Sequence, residues 1–270
     1  MATITENSSE TPTALTIAGS DSSGGAGVQA DLKTFAAHGV FGTSAITAIT
    51  AQNTMTVTMV EALSPAMVAA QIDAVADDIP PRATKIGMLA NAGIIAAVAD
   101  AIRRHGFPNV VLDTVMVSKS RARLLDEDAV SALLTHLLPL ALVITPNVPE
   151  AEALTGMRIG TVADLHRAAA TLANLGPGAV LAKGGHLDGP AVDVLWHRGS
   201  SIEITADRVD TRHTHGTGCT LSSAIAARLA RGDALEPAVR AAKAYVTRAI
   251  AEAPGLGRGQ GPLQHFVAVY

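Results

Sequence analysis

The feature of this sequence that most constrains its fold is a regular alternation of short apolar runs with longer segments of helical periodicity. The runs, such as residues 15–18 and 110–112, are rich in β-branched side chains and mostly apolar. Between them, apolar side chains recur at helical spacing, as at Val28, Leu32 and Phe35. Continuously apolar strands that alternate with helices are typical of a parallel sheet covered on both faces. We therefore predict an α/β fold with a mostly parallel central sheet.

The same patterns predict the individual elements and a single domain. Strands are predicted at residues 15–18, 44–49, 85–89, 110–112, 142–144, 179–183, 192–197, 201–206 and 266–269. Helices are predicted to begin near residues 26 and 65 and to span residues 92–104, 165–175, 218–229 and 237–251. No linker, repeat or low-complexity tract interrupts this series. We expect one domain over residues 13–270 after a flexible polar tail at residues 1–12.

Composition excludes several classes of protein. Apolar residues make up 48% of the chain and charged residues 16%, which suits a packed core and excludes disorder beyond the ends. The net charge of −4 argues against a nucleic-acid partner. The long uncharged run at residues 39–60 is too polar to cross a membrane, and the polar N-terminal residues do not resemble a signal peptide. We expect a cytoplasmic protein, in which the single cysteine, Cys219, excludes an internal disulfide.

Polar residues and glycines follow several of the predicted strands. Gly19, Asp113, Asn147 and Lys183 all stand at or near such strand ends. Ligands of open α/β sheets bind outside the carboxyl ends of the strands, so we expect these residues to border one cleft. The sequence has no GxxxxGK[ST] loop and no protein-kinase motif set, which excludes those two kinds of nucleotide site.

The segment THGTGC at residues 214–219 is the strongest candidate for an anion site. Gly216 and Gly218 allow the backbone to turn tightly before a helix. The unpaired N–H groups at a helix N-terminus favour phosphate and the negative charge that develops in phosphoryl transfer. The same field would lower the pKa of the Cys219 thiol. The alternative is a glycine-rich helix cap in which Cys219 is a small buried apolar side chain.

Two segments are candidates for substrate binding. The glycine-rich loop at residues 22–27 lies between a strand and a helix but lacks the GxGxxG spacing, so it is equally a tight turn. Asp31, in the following helix, either reaches the pocket or is solvated. The amide of Gln52 can donate and accept hydrogen bonds at once, as recognition of a heterocycle requires, whereas Asn53 fits a turn at least as well.

Oxygen donors and a lysine at the remaining strand ends indicate a metal and nucleotide site. Asp113, Asn147 and Glu150 carry oxygen ligands suited to Mg²⁺ or its water shell. Glu150 also fits the first turn of a helix, where an acid interacts favourably with the helix dipole. Lys183 could pair with nucleotide phosphates or lie at the surface. The histidines near residue 214 do not have the spacing of a zinc site.

Eight segments, in this order, carry a resemblance to a known family. They are LTIAGSD at residues 15–21, SGGAG and QADLKTF within 23–35, TAITAQNT at 47–54, KIGML at 85–89, VLDTVM at 111–116, ITPN and PEA within 144–151, KGGH at 183–186 and THGTGCT at 214–220. Through them the chain resembles the hydroxymethylpyrimidine/phosphomethylpyrimidine kinases of thiamine biosynthesis. The resemblance implies a ribokinase-like three-layer sandwich, and it extends from residue 15 to about residue 266.

The resemblance implies a pocket for an aminopyrimidine. Gln52 would hydrogen-bond the ring, and the rest of the pocket would be lined by Asp31, Gly19, Met88 and Val115. ATP would phosphorylate the hydroxymethyl group of 4-amino-5-hydroxymethyl-2-methylpyrimidine and then the resulting monophosphate. A homodimer is also implied.

The resemblance further implies a phosphate and metal site that serves both steps. The anion hole would be formed by Gly216, Thr217, Gly218 and Cys219. Mg²⁺ would be held by Asp113, Asn147 and Glu150, and ATP would contact Lys183, Asn147 and Thr214. Cys219 occupies the position of the aspartate base in sugar kinases of this fold. If Cys219 accepts the hydroxymethyl proton, its replacement by Ala would impair the alcohol step more than the monophosphate step.

Three alternatives stand beside this kinase. The nearest is a pyridoxal or pyridoxine kinase of the same fold. Some relatives that phosphorylate pyridoxal use an additional cysteine in a flap over ATP, whereas this chain has Ser118 there, within residues 118–123. A pyrimidine-binding sensor would not need the complete anion and metal set. A cysteine-dependent acyl-transfer enzyme would need an orienting group beside Cys219 and a histidine.

Overall fold

The computed structural model describes residues 11–116 and 127–269 of the protein. Within these residues the strands are β1 (Thr13–Asp21), β2 (Phe41–Gln52), β3 (Val57–Ala62), β4 (Ala83–Ile86), β5 (Val110–Leu112), β6 (Val143–Ile144), β7 (Ala179–Lys183), β8 (Ala191–His197) and β9 (Ser200–Ala206). The helices are α1 (Gly27–Ala37), α2 (Pro65–Asp78), α3 (Ala92–His105), α4 (Glu127–Ala132), α5 (Val148–Thr155), α6 (Val162–Ala173), α7 (Thr217–Ala230) and α8 (Leu235–Ala251). Helix α4 continues through a π turn at Leu133–Leu137 and a 3-10 turn at Leu138–Leu140.

The strands form one sheet in the order β3-β2-β1-β4-β5-β6-β7-β8-β9. In this spatial order, the adjacent strands β2-β1-β4-β5-β6-β7 are parallel to one another. Strand β3 at one edge, and β8 and β9 at the other, pair in antiparallel fashion. The predicted mostly parallel sheet is therefore confirmed, and so is the β8–β9 hairpin around Gly199. Because parallel strands point the same way, their carboxyl ends meet at one edge of the sheet.

Helices cover both faces of this sheet. On one face, α2, α3 and α6 bury apolar side chains such as Ile72, Ile95 and Leu165. On the opposite face, α1, α7 and α8 form a second core that includes Phe35 and Ile225. Four alanines of α7 are buried, and their small side chains allow this helix to lie close to the strands. The result is the three-layer arrangement that the resemblance implies.

Local sequence signals set the ends of several helices. The Ser64 hydroxyl accepts a hydrogen bond from the N–H of Met67 at 3.2 Å, and Pro65 occupies the first turn of α2, as predicted. Helix α3 ends at Gly106, whose φ of 63° lies in the left-handed region that favours glycine. These signals explain why the boundaries of α2 and α3 follow closely from the sequence.

Some elements differ from the sequence-based prediction. Strand β4 covers Ala83–Ile86 instead of residues 85–89, and the strand predicted at residues 266–269 is irregular chain in which Phe266 is exposed. The sequence patterns do not predict β3 or α4, and of α5 they indicate only the first turn, at Glu150. Every residue of β3 is exposed, so no alternation of buried and exposed positions marks it. Helices α4 and α5 are only six and eight residues long, too short for a clear helical period.

Two predictions fall wholly or mainly outside the described residues. These are the flexible tail at residues 1–12 and the flap at residues 118–123, which contains Ser118. The domain boundary at residue 13 therefore stays a prediction. Over the described ranges 11–116 and 127–269, no helix is both long and apolar enough to cross a membrane.

Candidate active site

The loop after β1 and the segment before α7 pack directly against each other. Gly216, which precedes α7, has a φ of 81°. A Cβ atom on Gly216 would lie 1.8 Å from the carbonyl oxygen of Gly25, and one on Gly25 would lie 2.6 Å from Cδ2 of His215. Only glycine permits this approach. Residues 22–27 and residues 214–218 therefore form one continuous surface at the start of α7.

Asp21, the last residue of β1, joins these two segments. Its carboxylate accepts hydrogen bonds from the N–H and hydroxyl of Ser23 at 2.8 and 2.7 Å and from the N–H of Ala26 at 2.9 Å. Its Oδ2 atom lies 2.8 Å from Nε2 of His215. Burial alone would raise the pKa of Asp21, but the hydrogen bonds from His215 and Ser23 outweigh burial and lower that pKa. An ionised carboxylate thus fixes both glycine-rich segments.

Gln52, the last residue of β2, reaches the same surface. Its Nε2 atom lies 3.4 Å from Nε2 of His215, the residue before Gly216. Its Oε1 atom lies 3.2 Å from the Thr50 hydroxyl, which donates mainly to the Ser20 carbonyl at 2.7 Å. The carboxamide and the start of α7 therefore lie on the same side of the molecule. Asn53 instead accepts two backbone N–H groups within the β2–β3 turn, which confirms the turn interpretation of that residue.

Three residues predicted to line the pyrimidine pocket follow neighbouring strands. Gly19 lies near the end of β1, Met88 follows β4, and Val115 follows β5. A Cβ atom on Gly19 would lie 2.5 Å from Cε of Met88, so the two residues are in contact. The Thr47 hydroxyl donates to the Met88 carbonyl at 2.6 Å and fixes the backbone there. Their role as a lining for the substrate stays a prediction.

Asp31 is fully buried in α1, so the solvated alternative is wrong. Its carboxylate accepts hydrogen bonds from Nζ of Lys85 at 2.8 and 3.0 Å and from the hydroxyls of Thr16 and Ser223, both at 2.6 Å. These partners replace water around the carboxylate. They also connect α1 with β1, β4 and α7. A direct contact between Asp31 and substrate stays a prediction.

Lys85 is a buried cation that the sequence reasoning does not single out. Burial disfavours its charged form, but the neighbouring Asp31 and Asp113 carboxylates hold the pKa of Lys85 above its ordinary value. The segment KIGML at residues 85–89 could have indicated a buried ion pair, because a cation in a buried apolar strand requires a partner. The sequence alone does not reveal which carboxylate is that partner.

Cys219 lies in the first turn of α7, but the predicted direction of its pKa shift is wrong. The residue is partly exposed, yet the protein encloses its thiol closely enough for burial to raise the thiol pKa to about 11. Lys85 and a hydrogen bond from the Gly27 backbone act in the opposite direction, whereas the charges of Asp31 and Asp113 add to the rise. The thiol therefore keeps its proton at neutral pH.

A second ion pair lies beside the start of α7. Nζ of Lys183 lies 3.1 Å from Oδ1 of Asp113, which also accepts a hydrogen bond from the Thr145 hydroxyl at 3.1 Å. A Cβ atom on Gly218 would lie 3.4 Å from both Nζ of Lys183 and Oδ2 of Asp113. Lys183 is therefore a paired, largely buried cation at the predicted anion site and not a lysine of the outer surface.

Glu150 and Asn147 form a reciprocal cap at the start of α5. Oε2 of Glu150 accepts the N–H of Asn147 at 2.8 Å and the Thr114 hydroxyl at 3.1 Å, while Oδ1 of Asn147 accepts the N–H of Glu150 at 3.0 Å. The capping interpretation of Glu150 is thus confirmed. Burial and the nearby Asp113 raise the pKa of Glu150 to about 7, in spite of Lys183. A divalent cation would stabilise such a carboxylate.

A cleft of about 320 Å³ opens beside these groups. Its lining includes the three residues predicted to contact the nucleotide, Asn147, Lys183 and Thr214, together with Thr217 and Gly218 of the predicted anion hole. Its apolar lining includes Leu221, Val246 and Ile250. A concave site that combines an apolar wall with a few polar groups is typical of a small-molecule pocket.

The comparison with protein families agrees with this geometry. The model for phosphomethylpyrimidine kinase matches residues 21–264, which include both glycine-rich segments and the cleft. The chain belongs to this kinase family. The family predicted from the eight segments is therefore confirmed.

Relatives of the phosphomethylpyrimidine kinase family match nearly the whole chain. The hydroxymethylpyrimidine/phosphomethylpyrimidine kinase of Synechococcus elongatus is 53% identical over 261 residues, which are 96% of this chain and 99% of that protein. The crystal structure of a phosphomethylpyrimidine kinase from Clostridium difficile is 49% identical, covers 88% of this chain and 99% of its own, and has a TM-score of 0.80. An ADP complex of Bacillus subtilis pyridoxal kinase is 41% identical, covers 95% and 98%, and has a TM-score of 0.89. These structures confirm the ribokinase-like fold.

For this family member, we expect the buried Lys85–Asp31 pair to be much more sensitive to loss of one partner than to loss of both. The Lys85→Met variant leaves a buried carboxylate without its cation, which costs about 3–5 kcal/mol of unfolding free energy. The double variant Lys85→Met/Asp31→Asn should be more stable than the single variant by at least about 2 kcal/mol, because no charge remains unpaired. Urea unfolding followed by circular dichroism measures both values.

An exposed pair on α8 provides the control. Arg240 lies 2.8 Å from Glu236, and both side chains are about half exposed. Arg240→Ala should therefore cost less than about 1 kcal/mol. Equal losses for the buried single and double variants would contradict the interpretation that an unpaired charge is the cause.

Proposed function

We propose that this chain transfers the γ-phosphoryl group of ATP to the hydroxymethyl group of 4-amino-5-hydroxymethyl-2-methylpyrimidine and then to the resulting monophosphate. One observation carries the proposal: Gln52 and the cleft of about 320 Å³ both border residues 214–218, where α7 begins. An acceptor held by Gln52 would lie next to a phosphate held at α7, and phosphoryl transfer depends on such positioning. The relatives named for both activities support the assignment.

On the acceptor side, the chemistry of Gln52 suits an aminopyrimidine. An amide can accept from the exocyclic amine and donate to a ring nitrogen at the same time. The Thr50 hydroxyl, which donates to the Ser20 carbonyl at 2.7 Å, lies 3.2 Å from Oε1 and keeps the carboxamide near the end of β1. Gly19 and Met88, which touch each other, and Val115 would provide the flat lining of the ring. Asp31 would support this pocket from within α1, where its contacts to Lys85 fix the helix.

On the donor side, the start of α7 would stabilise the migrating phosphoryl group. Helix α7 is 14 residues long and begins directly after Gly216, so its first N–H groups have no partner within the helix. The cation of Lys183 lies beside Gly218 and adds positive charge at the same point. Thr214 and Asn147 line the cleft that would hold the rest of ATP.

The carboxylates beside this cleft fit Mg²⁺. Asp113 and Glu150 are both buried, and Asp113 raises the pKa of Glu150, so the two carboxylates repel each other. A divalent cation with oxygen ligands would relieve that repulsion. When bound there, Mg²⁺ would neutralise charge on the ATP phosphates. Oδ1 of Asn147 already caps α5 and would act through its remaining lone pair or through water.

A pyridoxal kinase is the second candidate. The likeness to the Bacillus subtilis pyridoxal kinase favours it. The pyrimidine is favoured as the acceptor because the matching family model and the relative that is 53% identical are named for pyrimidine phosphorylation. Ser118, the flap residue in place of cysteine, also favours the pyrimidine and lies outside the described residues.

Product masses test the proposed function directly. The purified chain, ATP and Mg²⁺ are incubated with the hydroxymethylpyrimidine, with its monophosphate or with pyridoxal. We expect the pyrimidine to gain the mass of one and then two phosphoryl groups, and pyridoxal to react much more slowly.

In Gln52→Ala, the KM for the pyrimidine should rise about tenfold or more, because the ring loses its hydrogen bonds. Asn53→Ala, at the neighbouring turn, should leave this KM within about twofold. Preferential phosphorylation of pyridoxal would replace the proposal with the second candidate.

The role of Cys219 can be separated by comparing the two steps. Because burial keeps the thiol protonated, we propose that Cys219 shapes the anion hole through its backbone and packing. Cys219→Ala should then slow both steps by similar factors, within about threefold of each other. A thiolate base would instead contribute about 10²-fold or more to the alcohol step alone, since the monophosphate acceptor is already ionised. Single-turnover rates on the two acceptors measure this, and a selective loss on the alcohol would restore the base role.

We further propose that the protein is a homodimer formed through β2 and β3. Ala51 and Met59 are paired across the two strands, so they lie on the same face with Ile49, and all three are exposed. Exposed apolar surface on an edge strand is typical of an interaction site.

A cytoplasmic location also stays a prediction.

Light scattering after size-exclusion chromatography tests the dimer. The unmodified protein should have twice the mass of one chain. Met59→Glu should shift it towards the monomer, because two acidic groups would be brought together at the interface. Phe266→Glu is the matched control, since Phe266 is 69% exposed and Met59 67%. A monomeric unmodified protein, or equal effects of the two variants, would contradict this interface.

A further inference from the structure

The guanidinium of Arg208, just after β9, binds three carbonyl groups of one loop. Nε donates to Gly189 at 2.8 Å, Nη1 donates to Gly185 at 2.9 Å, and Nη2 donates to Leu187 at 2.6 Å. The loop, residues 184–190, connects β7 to β8 and begins directly after Lys183. The proposed function does not use Arg208.

The base of this loop is fixed independently of Arg208. The N–H of Gly184 donates to Oδ1 of Asp193 at 3.0 Å, and Oδ2 of the same buried carboxylate accepts from Nζ of Lys243 at 2.7 Å. A Cβ atom on Gly184 would lie 2.0 Å from the carbonyl oxygen of Val192, so the loop leaves β7 in close contact with β8. The start of the loop is therefore rigid.

The outer part of the loop has little apolar packing of its own. Gly185, His186, Asp188 and Gly189 are exposed, whereas Leu187 is partly buried and packs against the core. A segment with so few apolar contacts depends largely on polar contacts for its order. A planar guanidinium donates in diverging directions from three nitrogens, which suits three separated carbonyls, whereas the three N–H groups of a lysine all start from one nitrogen.

The loop and its arginine belong to the wall of the nucleotide cleft. Gly185, His186 and Arg208 line the same cavity of about 320 Å³ as Lys183 and Thr217. We propose that Arg208 is a positioning residue for the nucleotide. It holds residues 185–189 as a preformed wall of the cleft and thereby lowers the entropic cost of binding ATP. This inference rests on the proposed function, because it assumes that ATP occupies the cleft.

Steady-state kinetics and ADP binding test the proposal on the full chain. In Arg208→Ala, the KM for ATP and the calorimetric Kd for ADP should each rise about tenfold. The kcat and the KM for the pyrimidine should stay within about twofold, since Gln52 and the start of α7 are untouched. Arg208→Lys should recover only a small part of the loss. Arg198→Ala, in the turn at the opposite end of the β8–β9 hairpin, is the matched control and should leave all four values unchanged.

Hydrogen exchange shows whether loop order is the cause. The amides of residues 185–189 should exchange faster in Arg208→Ala than in Arg198→Ala, while the amides of α7 keep their protection. Unchanged ADP affinity in Arg208→Ala would overturn the inference, and so would a loss of kcat equal to the rise in KM. If the unmodified protein binds no ADP, the proposed function itself is wrong, a result that the Arg208 variants cannot produce.

Discussion

The buried contact between Asp31 and Lys85 is the interaction on which the site depends. A carboxylate in α1 and an ammonium in β4 meet without water, and hydroxyls from β1 and α7 complete the coordination of the carboxylate. Two charges in a core require such complete pairing. The position of α7 relative to the sheet is therefore fixed by directional bonds as well as by apolar packing, and α7 is the element whose first turn forms the predicted anion hole.

Buried lysines and carboxylates lie next to one another around the first turn of α7. Lys85 and Lys183 are paired with Asp31 and Asp113, and the Cys219 thiol beside them keeps its proton. The raised pKa of Glu150, next to Asp113, indicates an excess of negative charge beside the cleft. A protein that binds an anion at a helix N-terminus and a divalent cation next to it would need this distribution. The charged residues thus fit both ends of the proposed metal–phosphate complex.

The sequence predicts the layers and most of the central elements because apolar periodicity and the residues that start or end helices indicate the same boundaries there. Pro65 and the apolar positions of α2 point to the same helix, and the structure has it. It did not predict β3, since an edge strand exposed throughout has no alternation. Gln52 lies next to the start of α7, and the cleft is lined by Asn147, Lys183, Thr214, Thr217 and Gly218, but the partners of these residues could not be deduced. The bond between Asp21 and His215 joins residues 194 positions apart, and the pKa of Cys219 depends on burial that only the folded chain reveals.

The close approach of Gly216 to the carbonyl of Gly25 leaves no space for a side chain at either position. One of these glycines belongs to the loop proposed to lie near the acceptor and the other to the turn proposed to face the phosphate, so the two proposed subsites would share a wall of two backbone segments in contact. A change that widened the acceptor side would then displace the turn on the phosphate side. Enzymes with this wall would acquire new acceptors through the residues farther out, around Met88 and Val115, while the shared glycines stay as they are.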